Sequence, residues 1–143
     1  MQSQTNFEEI LSRDGELHFT NVGYSMYPLI KQREDILYIK ATISCKKGDI
    51  ILYKSDLDHY VLHRIISIKK DKIICAGDYN PFKDKPITSD DVLGILISIS
   101  KKNGQVINLD KDKKLRKFFY TNFFYIKAFF QRVGNLLHIR RIK

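Results

Sequence analysis

Val22-Gly23-Tyr24-Ser25-Met26-Tyr27-Pro28 follows a run in which Leu17, Phe19 and Val22 are apolar and His18, Thr20 and Asn21 are polar. That alternation predicts a strand running into a turn. Gly23 allows backbone angles that a side chain forbids, and Pro28 fixes its own φ and pushes Tyr27 towards an extended conformation. A serine between two such restraints sits on stiff backbone at a strand edge. Two roles suit it: capping an ordinary turn, or acting as a nucleophile whose position is settled before reaction.

Outward from this turn the chain reads as short strands. They are expected at about 36–43, 49–54, 60–69, 72–76 and 92–99, with Cys45 to Gly48 and Lys70-Asp71 as turns and Asn103-Gly104 as a last hairpin turn. No βαβ alternation appears, so the expected fold is mainly β: a compact antiparallel domain. Thr5-Asn6-Phe7-Glu8 reads as a capping box opening a short helix over 5–13, with Phe7, Ile10 and Leu11 on one face and Asp14-Gly15 ending it. Gln32-Arg33-Glu34-Asp35 reads as a solvated bend, and Asp49 as stabilising the turn before its strand.

Two of these segments carry chemistry. Tyr60-Val61-Leu62-His63-Arg64-Ile65-Ile66 is β-branched and aromatic, a strand with a histidine in its interior. Ala76-Gly77-Asp78-Tyr79-Asn80-Pro81-Phe82-Lys83-Asp84 is a turn-rich loop with two carboxylates. Ser, His and Asp therefore occur in that order. An imidazole beside a hydroxyl can take its proton near neutral pH, and a carboxylate can fix the imidazole tautomer.

Together these stretches resemble the type I signal peptidase and LexA-type serine peptidase superfamily, and most closely its Ser-His branch. The Gly-x-Ser-Met-x-Pro box of that family is matched by Gly23 to Pro28, and its Gly-Asp-Ile-Val strand start by Gly48-Asp49-Ile50-Ile51. The His-Arg-Val box is matched by His63-Arg64-Ile65, the Gly-Asp-Asn-Asn box by Gly77-Asp78-Tyr79-Asn80 with Asp84 following, and the Val-x-Gly strand by Val92-Leu93-Gly94. The likeness covers roughly residues 17–97. It implies a LexA/signal-peptidase-like β-domain and a serine endopeptidase with Ser25 as nucleophile and His63 as general base. Asp84, or in competition Asp78, would orient His63. It also implies an extended peptide or protein precursor as substrate, cut at a leader or signal-like segment. Gly23, Tyr24, Met26 and Tyr27 would line the substrate site, with no cofactor and no metal.

Two features depart from the pattern. Some relatives place a serine two residues before the nucleophile to help bind the oxyanion, where this chain has Gly23, so backbone N–H groups must supply the donors. Signal peptidases also begin with a membrane span, whereas residues 1–16 are polar and acidic, which reads as neither signal peptide nor span. The expected location is cytoplasmic, peripheral at the inner membrane face. Two other readings stay open. One is a docking module that kept the fold and lost activity. The other is a LexA-type self-cleaving regulator, although the one Ala-Gly pair, Ala76-Gly77, lies after the serine and not before it.

The 143 residues carry a net charge of +9, and its location is informative. Residues 1–110 hold 15 Lys+Arg and 15 Asp+Glu; residues 111–143 hold ten Lys+Arg and one acidic residue, Asp112. This divides the chain into a neutral domain over 1–110 and a basic tail over 111–143. A nucleic-acid-binding fold would spread basic charge over its body, so no nucleic acid is expected. In the tail, Leu115, Phe119, Phe123, Ile126, Phe130, Val133 and Leu137 form one helical stripe, and eight of the 17 Phe and Tyr residues fall between 118 and 130. Such an amphipathic helix can cover the β-domain or lie on an anionic membrane surface, where each nearby Lys or Arg contributes about 1 kcal/mol. Cys45 and Cys75 have no metal-ligand spacing and read as small hydrophobes.

Overall fold

Asn6 opens the first element of the computed structural model, which describes residues 6–42, 44–80 and 82–109 together with 129, 132 and 133. Its side chain accepts the N–H of Glu9 at 3.3 Å, so helix α1 spans Phe7–Asp14. The cap is therefore Asn6, one residue after the Thr5 that opens the expected capping box, and Thr5 lies outside the described residues. Gly15, at φ 74°, ends the helix by donating its N–H to the Leu11 carbonyl.

Seven strands follow: β1 (Glu16–Phe19), β2 (Ile36–Ala41), β3 (Ile50–Lys54), β4 (Tyr60–Lys69), β5 (Lys72–Ala76), β6 (Val92–Ser100) and β7 (Val106–Asn108). They form one antiparallel sheet in the order β1-β2-β6-β3-β4-β5, with β7 also paired to β6. The mainly β architecture expected from the sequence is the one observed. β1 is shorter than the expected run because the chain leaves the sheet after Phe19, and Val22 is 75% exposed.

β3 and β6 lie inside the sheet, and β3 is buried on both faces. Ile50 and Leu52 join Leu62, Leu96 and Ile99 in one core, which is closed by Leu11 of α1 and by Met26, Leu29 and Ile30 from the β1–β2 connection. Ile51 and Tyr53 join Ile65, Ile73, Cys75, Ile87 and Val92 in a second core on the other face. That alternation is the period of two of a strand. Gly94 is needed where β6 meets β2: a Cβ there would lie 2.7 Å from Ile39 Cγ2 and 2.7 Å from the Lys40 carbonyl oxygen.

The helix expected over 111–143 lies outside the described residues except for Phe129, Arg132 and Val133, which are helical. Among the described residues no helix is long and apolar enough to cross a membrane.

Candidate active site

The Ser25 turn sits in the connection from β1 to β2. Tyr27 N–H donates to the Tyr24 carbonyl and Ile30 N–H to the Met26 carbonyl, both at 3.0 Å, which winds residues 24–30 into consecutive turns. Gly23 adopts φ 115°, a region closed to ordinary side chains, and its N–H is held by Gln32 Oε1 at 2.9 Å. Met26 is 1% exposed and packs in the core, so its side chain anchors the turn and is not available to line a substrate site, which corrects the expectation for this residue. Tyr24 and Tyr27 do face outwards.

The bend after the turn also differs from expectation. Asp35 is 1% exposed, and its Oδ2 accepts the Lys31 N–H at 2.8 Å and the Lys101 ammonium at 2.6 Å. Lys101 donates in addition to the Leu29 carbonyl. A run of charged residues reads as solvated. Here one of them turns inward because a lysine from the start of the β6–β7 turn meets it, and no local signal announces that partner.

His63 stands in β4 opposite Ile51 of β3, on the face of the second core. Its side chain is largely buried, and Nδ1 lies 2.6 Å from Asp84 Oδ2. The same Asp84 oxygen accepts the Tyr53 hydroxyl at 2.8 Å. An ionised carboxylate only accepts, so Nδ1 carries a proton, and in the neutral imidazole Nε2 is then the nitrogen with the free lone pair. Burial, then the adjacent Asp84, pushes the Tyr53 phenol well above its ordinary range, so it remains an O–H donor.

Gly77 brings the two halves together. Tyr79 N–H donates to the Ser25 carbonyl at 2.8 Å, tying the loop after β5 to the serine turn. A Cβ built on Gly77 would lie 2.5 Å from the Ser25 carbonyl oxygen, 2.9 Å from Ser25 Cβ and 3.1 Å from His63 Nε2. Ser25 Cβ and His63 Nε2 are therefore no further apart than the last two distances laid end to end, about 6 Å. Glycine is required there by space, since any side chain would occupy the gap between serine and imidazole. Asp84 N–H returns to the Cys75 carbonyl at 2.8 Å, which closes the loop and fixes the carboxylate.

Asp78 has a different partner. Arg64 forks onto it through Nε and Nη2, both at 2.8 Å, and reaches the Gly48 carbonyl through Nη1 at 2.9 Å. Both side chains of the pair are buried. Asp78 thus braces the turn before β3 against the loop after β5, and Asp84 is the carboxylate on His63. Asp49 Oδ2 accepts the Lys46 N–H at 2.9 Å, holding the turn before β3. No local signal marks the roles of Tyr53, Gln32 and the Lys101–Asp35 pair, because each depends on a partner brought close by the fold.

Tyr24, Tyr27, Tyr79 and Phe82 are all exposed around the Ser25 and Gly77 loops, and the Tyr27 and Tyr79 rings meet edge to face at 5.8 Å. Among the described residues no cluster of three His, Cys, Asp or Glu could hold a metal ion. No protein-family model matches the chain, and no curated protein matches it significantly.

Proposed function

We propose that this chain is a serine endopeptidase that cleaves a leader or signal-like segment from a peptide or protein precursor. The observation that carries the reading is the series Ser25, His63, Asp84: imidazole Nδ1 on a carboxylate at 2.6 Å, with Nε2 turned to the gap shared with Ser25. His63 Nε2 removes the proton from Ser25 Oγ as the oxygen attacks the peptide carbonyl carbon. Backbone N–H groups of the Ser25 turn hold the oxyanion, and His63 then gives its proton to the leaving amine. Water, deprotonated by the same imidazole, releases the acyl group from Ser25. Asp84 keeps the tautomer and stabilises the imidazolium, and Tyr53 holds Asp84. Tyr24 and Tyr27 with the backbone at Gly23 form the bank beside the nucleophile where an extended peptide lies. The basic segment 111–143 serves as an address for an anionic membrane surface.

Incubating the full chain with a peptide library and reading cleavage by mass spectrometry tests this. Products formed by the wild type and lost in both Ser25→Ala and His63→Ala support it. Products that persist in both variants, or a wild type that binds peptides and never cuts them, overturn it; the second result identifies a docking module.

A further inference from the structure

A cleft of about 410 Å³ opens beside Asp84 between the β3–β4 turn and the strap over residues 84–87. Ser25, His63 and Gly77 do not line it. Leu57, Val61, Pro86 and Ile87 give it an apolar stretch of wall, with Tyr53 next to the carboxylate. Val61 precedes His63 by two residues on β4, so both lie on one face of the strand and the cleft is one side-chain repeat from the imidazole.

The charges around the cleft are unequal. Asp56, Asp84 and Asp91 line it against Lys54 and Lys85. The Lys54 ammonium is drawn to Glu8 and Asp58, each at 2.8 Å and neither lining the cleft. Lys85 bridges the two walls by pairing with Asp56 at 2.7 Å, and both side chains are well exposed. Asp91 receives the N–H and hydroxyl of Thr88. Asp84 is met by the Tyr53 phenol and the His63 imidazole, and by no lysine or arginine of the lining. An oily slot ending on a carboxylate matches an aliphatic stem with a cationic head.

We infer that this cleft binds an alkylammonium or alkylguanidinium group, the chemistry of a lysine or arginine side chain, with Asp84 as its counter-charge. The stem packs on Leu57, Val61 and Ile87. The exposed Lys85–Asp56 pair is a weak latch across the mouth that solvent and salt readily open. Occupancy puts positive charge beside the carboxylate that would otherwise stabilise the His63 imidazolium, so the bound cation opposes activation of Ser25. That consequence rests on the peptidase reading; the binding does not.

The test is methyl NMR on the full chain titrated with n-butylguanidinium, which needs no catalysis. Saturable shifts are expected at Leu57, Val61 and Ile87, with none from pentanoate, which has the opposite charge. Acetyl-arginine amide separates the sources: if it binds too, the cleft admits a peptide-borne side chain, and if only butylguanidinium binds, the ligand is a free small cation. Asp84→Asn should weaken butylguanidinium roughly tenfold, and Lys85→Ala should tighten it severalfold. The methyls of Leu37, Ile39 and Ile99 report that each variant is folded. No saturable shift, an equal response to pentanoate, or unchanged affinity in a folded Asp84→Asn overturns the inference.

Discussion

Asp84 and Asp78 share one loop and have opposite duties, because each is claimed by a different partner. Asp84→Asn keeps the shape and removes the charge that fixes the imidazole. The turnover of any peptide the chain cuts should fall by about 10²–10⁴-fold, while the denaturation midpoint changes little. Asp78→Asn removes the carboxylate that the buried Arg64 guanidinium forks onto, so its main effect should be a stability loss of about 3–5 kcal/mol in urea unfolding. If both variants lost activity and stability alike, this division of roles would be wrong. Cys75 offers a pH prediction. Burial pushes its thiol up from an ordinary value near 9.0. Above that pH the unfolded chain sheds a proton that the folded chain retains, so stability falls as pH rises, by up to about 1.4 kcal/mol per pH unit. Urea midpoints between pH 8 and 10.5 should therefore slope downwards, and Cys75→Val should flatten the slope.

At the scale of elements, the serine turn is held from outside itself. Gln32 takes the Gly23 N–H, Asp35 takes the Lys31 N–H, and Lys101 clamps both Asp35 and the Leu29 carbonyl. Lys101→Met strands a buried carboxylate and should cost about 3–5 kcal/mol by urea unfolding. The double variant Asp35→Leu, Lys101→Met removes the whole pair and should recover most of that loss, because no uncompensated charge remains. A double variant no more stable than Lys101→Met alone would show that the pair contributes through specific geometry and not through charge balance.

Across the whole molecule, the charge asymmetry sets an expectation for partners. The neutral domain should be indifferent to anionic vesicles, and any binding should depend on residues 111–143. Sedimentation of the full chain with phosphatidylserine vesicles should fall sharply between low and high salt, as screening shortens the reach of exposed charges. Replacing the tail's lysines and arginines with glutamine should abolish it. Retention of binding in that variant would move the membrane contact to the exposed tyrosines and Phe82 around the site.

Much of this chain was legible as local pattern. Alternation over Leu17 to Val22 and runs of β-branched and aromatic residues between turn signals located the strands, Asp14-Gly15 the end of the helix, Asn103-Gly104 the β6–β7 turn, and glycine with proline the stiff turn at Ser25, since each follows from preferences acting over a few residues. Tertiary structure alone decided which of two carboxylates meets His63, that Met26 points into the core and Asp35 into a buried ion pair, and that Gly77 leaves room between serine and imidazole. Those outcomes depend on contacts between residues far apart in sequence, and neither composition nor spacing encodes which distant side chain will be waiting when the sheet closes.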